Sequence, residues 1–331
     1  MSRIADATTD LREKAIHLLN RNPIFIGSFS RGGSTILLNL LASHPDVCTV
    51  GETHQVFKGR KSDVEPPWKS LQRCLLHDLP VIASTGQDLF SPTLFRPRKP
   101  VSKPVQRFID RVLYNDKLRS RTVHFNLFKA PDLEYTLQEI AESRLAGKNV
   151  SGAVFLSDMF AEMYPDAKFV YLVRNGLALC EGYMRRRKSP EWAADCYRTL
   201  VRKMMDDCRR LPGATLVRFE DILNNPVDQL LQLYARLDLD QSRASHVRLQ
   251  LRKMIDERGR HRVEGGAEWD VVWYKLRNIG AHLDRDINDR QIRRLGANDR
   301  NVFLRNAGDV MEQLGYPTGA ATPSNTRRLA A

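Results

Sequence analysis

"FIGSFSRGGSTILLNLLASHP", residues 25–45, runs from a short apolar stretch through a glycine-rich turn into a stretch with helical spacing. Against the phosphate-loop pattern G-x-x-x-x-G-K-[ST] it has Gly27, four residues, Gly32, then Gly33 in the lysine position, then Ser34 and Thr35. Residues 23–28 read as a buried strand, and "STILLNLLASHP" as a helix with Ser34 or Thr35 near its first turn and Pro45 past its end. Strand, glycine loop and helix form the setting in which backbone N–H groups and a helix N-terminus hold a phosphate. Without the lysine, the loop lacks the group that neutralises the β and γ oxygens of a nucleoside triphosphate. It still suits a single phosphate, with the N–H groups of residues 31–35, two hydroxyls and one cation, Arg31.

Outward from this loop, apolar runs alternate with helical patterns. "AKFVYLVRN" (167–175) is the clearest strand, joined by "VHFNLF" (123–128) and "ATLVRFED". Helices are expected at 10–20, at 132–147 ending on Gly147, at 190–211, in "NPVDQLLQLYARLDL" and in "NVFLRNAGDVMEQLGY"; the C-terminal part reads as helical in pattern. Continuous apolar strands between helices argue for an α/β fold with a central parallel sheet covered on both faces. Residues 1–317 read as one domain. Within it, 57–120 is a proline-rich insertion suited to a lid or acceptor-binding segment, and 318–331 is a flexible tail.

The chain has 331 residues and no apolar run near the ~18 needed for a membrane span. Its N-terminus lacks the apolar core of a secretory signal, which leads to a cytoplasmic expectation. Five scattered cysteines without a CxxC pair read as reduced thiols, and no His/Cys cluster has metal-ligand spacing. The net charge of +13 is uneven: residues 96–121 carry nine Lys/Arg against two Asp, and Arg185-Arg186-Arg187-Lys188 form a second knot. Such patches suit an anionic ligand, an anionic acceptor or a solvated face; no nucleic-acid-binding motif accompanies them.

"SRGGSTILLNLLASHPDV" resembles the entry loop of sulfotransferases that use 3′-phosphoadenosine 5′-phosphosulfate (PAPS), and "FVYLVRNGLALCEGYMRRR" resembles their second signature, a strand ending in arginine followed by a helix. The two lie about 140 residues apart. "DVCTVGETHQVF" is similar to a segment of tyrosylprotein sulfotransferases in which a glutamate acts as base, and "NLFKAPDL" to a strand ending in lysine. The resemblance implies a P-loop-like sulfotransferase fold with an inserted basic segment and a helical C-terminal part. It implies PAPS as donor, 3′,5′-ADP as product and no metal. Ser30, Arg31, Gly32, Gly33, Ser34 and Thr35 would hold the 5′ phosphosulfate, and Arg174 the 3′ phosphate. The family serine is replaced by Gly182, where Arg185 or Arg186 are candidate substitutes. Arg258 and Arg260, with His261, would form a basic loop over the nucleotide, and Trp273 either stacks on adenine or belongs to the core. Arg31, Glu52 and Lys129 are the catalytic candidates, with Glu52 as base and His54 and His124 as rivals. The acceptor would be a hydroxyl on a glycan, lipid or peptide, and the basic insertion suits an anionic one. A P-loop kinase and a non-catalytic nucleotide-binding protein are the alternatives.

Overall fold

The computed structural model describes residues 2–53, 68, 75, 85–86, 100–122, 136–250, 254–255, 261–262 and 271–318. Five strands, β1 (Ile24–Ser28), β2 (Val47–Glu52), β3 (Arg144–Val150), β4 (Lys168–Val173) and β5 (Ala214–Arg218), form a parallel sheet in the order β2-β3-β1-β4-β5. The helices are α1 (Ser2–Leu19), α2 (Ser34–Ala42), α3 (Lys103–Thr122), α4 (Leu137–Glu142), α5 (Ser157–Met163), α6 (Gly176–Met184), α7 (Pro190–Arg210), α8 (Phe219–Asn224), α9 (Pro226–Arg236), α10 (Ile287–Arg293) and α11 (Ala297–Gln313). Every residue of the central strand β1 is buried, as a strand covered on both faces requires.

The chain leaves β1 toward β2 in one direction and leaves β3 toward β4 in the other. Right-handed crossovers then put the following segments on opposite faces and open a crevice at the carboxyl ends of β1 and β3. On one face Phe25 stacks on Phe160 and Phe169, with ring centroids 4.0 and 5.8 Å apart, and Tyr171 continues the row. Tyr171 OH donates to Asp207 at 2.6 Å, and Ser157 Oγ to the same oxygen at 2.7 Å, so the buried carboxylate of α7 pins β4 and α5 together. The α2 face is closed by α9, whose Tyr234 OH donates to Leu40 O at 2.7 Å.

The chain divides into two compact units. The first holds the sheet and runs over Met1–Arg174 and Arg202–Arg285; the second takes Asn175–Val201 and the chain from Asp286 onward. In the second unit, Asn175 caps α6 by accepting from Leu177 N at 3.0 Å. The ring of Phe303 lies where a Cβ on Gly176 would stand.

Two sequence expectations change. The helix expected over 132–147 ends at Glu142, after a start fixed by a Thr136–Glu139 capping box. Residues 144–150 are instead β3, held between β2 and β1. Sheet pairing overrides the helical spacing here, and Gly147 serves a close approach, since a Cβ there would lie 2.7 Å from Thr53 Cγ2. The C-terminal part, read as helical, also holds a strand pair: His246–Gln250 (β6) pairs antiparallel with Val271–Lys275 (β7), burying Val247, Arg248 and Leu249. The expected strand at 123–128 lies outside the described residues. Among the described residues, no helix is long and apolar enough to cross a membrane.

Two buried polar groups fasten the frame. Lys117 of α3 is fully buried and donates to Leu19 O, Ala141 O and Ser143 O at 2.7, 2.6 and 2.8 Å. Those carbonyls sit at the C-terminal ends of α1 and α4, where no helical donor remains and the dipole is negative. Burial pushes the Lys117 amine down to about 8. His44, past the end of α2, lies between Asp240 O (3.0 Å from Nε2) and the Asp46 N–H (3.2 Å from Nδ1). This arrangement requires the neutral ring, and burial holds its pKa below the ordinary value.

Lys117→Met leaves three carbonyls without their donor and should cost about 3 kcal/mol or more in urea unfolding. Because folded His44 resists a proton that the unfolded chain accepts near 6.5, its contribution to stability should be complete above that pH and fall as the pH drops below it. Unfolding measured from pH 7.5 to 5 should show this slope, reduced in His44→Gln.

Candidate functional site

The site begins where β1 stops. Gly32 N–H closes a turn onto Phe29 O at 3.0 Å, with Arg31 in left-handed backbone at φ 68. Gly33 follows at φ 94 and is the N-cap of α2, with no side-chain capping bond. Ser34 is therefore the first helical residue rather than the cap, and it is buried while Thr35 is exposed. The first turn of α2 has no acidic residue, so its N–H groups face the crevice with the positive end of the helix dipole behind them.

Gly33 is required by its surroundings as well as by its φ. A Cβ there would lie 2.4 Å from two ring carbons of Phe219, a buried residue that opens α8 directly after β5. The space a phosphate-loop lysine stem would enter is filled by an aromatic ring. On that ring lies the guanidinium of Arg174, 4.8 Å from the centroid, at the end of β4. Arg174 is 5% exposed, and its Nη1 donates to Arg31 O at 2.7 Å.

A lysine reaches the loop from another strand. Lys148 of β3 is in register with Ile26 of β1 and Glu52 of β2. Its Nζ stands 3.0 Å from Glu52 Oε1 and 3.3 Å from Thr35 Oγ1. Behind this pair Thr53 Oγ1 donates to Asn149 Oδ1, both fully or nearly fully buried, which locks the ends of β2 and β3 together. Just past β3, Ser151 Oγ accepts the Ser30 N–H at 3.3 Å.

Of the residues proposed from sequence, the structure thus brings together Ser30, Arg31, Gly32, Gly33, Ser34, Thr35, Glu52 and Arg174. Lys129, His54, His124, Arg258 and Arg260 lie outside the described residues. Gly182 is buried within α6 of the second unit. Arg185, a candidate replacement for the missing serine, pairs with Glu181 at 3.0 Å, a buried carboxylate that also accepts from Gln291 Nε2 at 3.0 Å. Trp273 lies on β7 opposite Arg248, half-buried. Lys148 and Ser151 were missed because their segment reads as the tail of a helix. One partial signal was present: in "RLAGKNV" a short apolar pair, Leu145 and Ala146, runs into a glycine followed by lysine and asparagine.

A family profile described as "Sulfotransferase family" matches residues 23–243, which contain the whole of this site. The chain belongs to the sulfotransferase family. Solved structures similar to this sulfotransferase include two sulfotransferase domains, one from the Synechococcus PCC 7002 olefin synthase and one from the curacin biosynthetic pathway. The first is 19% identical over 90% of this chain and 96% of that one, with a TM-score of 0.44. The second is 18% identical over 90% and 98%, with a TM-score of 0.46. A sulfotransferase from Mycobacterium avium is 11% identical over 90% and 78%, with a TM-score of 0.41. No curated protein sequence matches significantly.

In this sulfotransferase, Gly33→Ala combines a left-handed strain with overlap on Phe219. It should lower the unfolding free energy by about 2 kcal/mol, and by less in a Phe219→Leu background. Urea denaturation of the four chains of this cycle provides the measurement.

Proposed function

We propose that the protein transfers a sulfonate group from PAPS to the hydroxyl of an acceptor. The observation that carries this reading is the ring of Phe219 against Gly33, which leaves the loop fit for one phosphate and closed to a lysine reaching along a triphosphate. The donor set fits the nucleotide. The N–H groups of residues 33–35 and the dipole of α2 suit the 5′ phosphosulfate, with Arg31 and Lys148 as the cations beside it. Arg174, at the end of β4, suits the 3′ phosphate. PAPS, when bound, supplies a sulfonate carried on a phosphate leaving group.

The rest is done by the chain. Arg31 and Lys148 stand where negative charge gathers on the leaving oxygen and lower its cost without moving. Lys148 shares the role expected of Lys129, which lies outside the described residues. Glu52 accepts the acceptor's proton on a carboxylate oxygen, and its ion pair with Lys148 fixes the position of that carboxylate.

The acceptor is a hydroxyl of a glycan, lipid or peptide. The basic stretch at 96–121 argues less for an anionic acceptor than its charge suggests. Arg107 and Arg111 both pair with Glu13, at 2.8 and 2.9 Å, and Lys117 is buried. A cytoplasmic location belongs to the same reading.

Calorimetry with 3′,5′-ADP and with Mg-ATP tests the reading. The expected result is metal-independent binding of 3′,5′-ADP, weakened about tenfold or more by Arg174→Ala and by Lys148→Ala. Preference for Mg-ATP would overturn it. Glu52→Gln should keep its affinity for 3′,5′-ADP within about threefold and lose about 100-fold or more in turnover.

A further inference from the structure

Arg31 occupies backbone that glycine normally holds in a turn of this kind, and a long side chain stays there only when neighbours hold it. Two groups hold it, one from each flanking strand end. After Arg31, its carbonyl accepts from Arg174 Nη1 at 2.7 Å. Before it, the Ser30 N–H donates to Ser151 Oγ at 3.3 Å. Ser151 is itself left-handed, at φ 56, immediately beyond β3. The left-handed Ser151 therefore holds, through one hydrogen bond, the residue immediately before the left-handed Arg31, 121 positions away in the chain. What Ser151 provides there is an acceptor for the phosphate loop.

We propose that Ser151 is a positioning residue, whose hydroxyl fixes Ser30 and the left-handed turn and so aims the Arg31 side chain into the crevice. It acts through Arg31 and touches no reacting atom. The ligand to which Arg31 is aimed rests on the donor reading above; the bracing of the loop does not.

Two substitutions separate the hydroxyl from the strain. Ser151→Gly suits the left-handed backbone and removes the acceptor, whereas Ser151→Asn tolerates the backbone and keeps a side-chain oxygen. Amide hydrogen exchange of residues 28–35 is measured by NMR on the full chain without ligand, together with melting temperature and 3′,5′-ADP binding by calorimetry. In Ser151→Gly the Ser30 amide should exchange about tenfold faster and 3′,5′-ADP should bind about tenfold more weakly, with an unchanged or higher melting temperature. Ser151→Asn should restore exchange and affinity to within about twofold of the parent. In an Arg31→Ala background, Ser151→Gly should weaken binding no further.

Unchanged Ser30 exchange in Ser151→Gly overturns the proposal, whatever happens to the melting temperature. So does a loss of affinity that persists in full without the Arg31 side chain. If the parent protein itself fails to bind 3′,5′-ADP, the donor reading falls and the exchange measurement alone decides the role of Ser151.

Discussion

The contact on which the site depends is the edge of Phe219 against Gly33. Gly33 must be glycine because its φ is left-handed and because the ring leaves no room for a Cβ. The same ring carries the Arg174 guanidinium, and the guanidinium reaches the carbonyl of Arg31. One buried aromatic side chain thus sets the shape of the phosphate loop, excludes a lysine from it and seats a cation at the end of β4. Positive charge for an anionic ligand has to arrive by other routes. Arg31 brings it from within the turn and Lys148 from the neighbouring strand.

Much of this was legible in the sequence. The apolar run before Gly27, the glycine pair and the helix after Ser34 have a local physical basis, so strand, loop and helix could be read from spacing alone. "FVYLVRN" was equally plain, since a five-residue apolar run followed by arginine has few other uses. What could not be read was β3. Its segment follows a well-capped helix start, continues the helical spacing and contains a lysine at an ordinary position. Only pairing with β1 and β2, a long-range interaction, makes it a strand. With β3 hidden, Lys148 and Ser151 were hidden too. Phe219 was equally opaque, because nothing in "VRFED" says that its ring will cover a glycine 186 positions earlier.

The charge pattern carries a similar lesson. A stretch with seven excess positive charges reads as a face for anions. In the fold, Glu13 of α1 faces two of its arginines, and Lys117 points inward to finish two helix ends. A lysine with three carbonyl partners is a structural plug whose charge never reaches solvent. Net charge counts such groups as surface; burial and partners decide whether they are.

The placement of Lys148 also governs when the site comes into being. In a phosphate loop with its own lysine, the cation and the cradle are neighbours in sequence and can form together from a short piece of chain. Here Lys148 and Thr35 are separated by 113 residues and meet only through the pairing of β3 with β1. A slip of β3 by a single residue would turn Lys148 to the opposite face of the sheet and bring Asn149 to the loop in its place. The register of one central strand pair is thus a switch between a charged crevice and a neutral one. Closing that long chain loop both seats β3 in the sheet and brings Lys148 to Thr35.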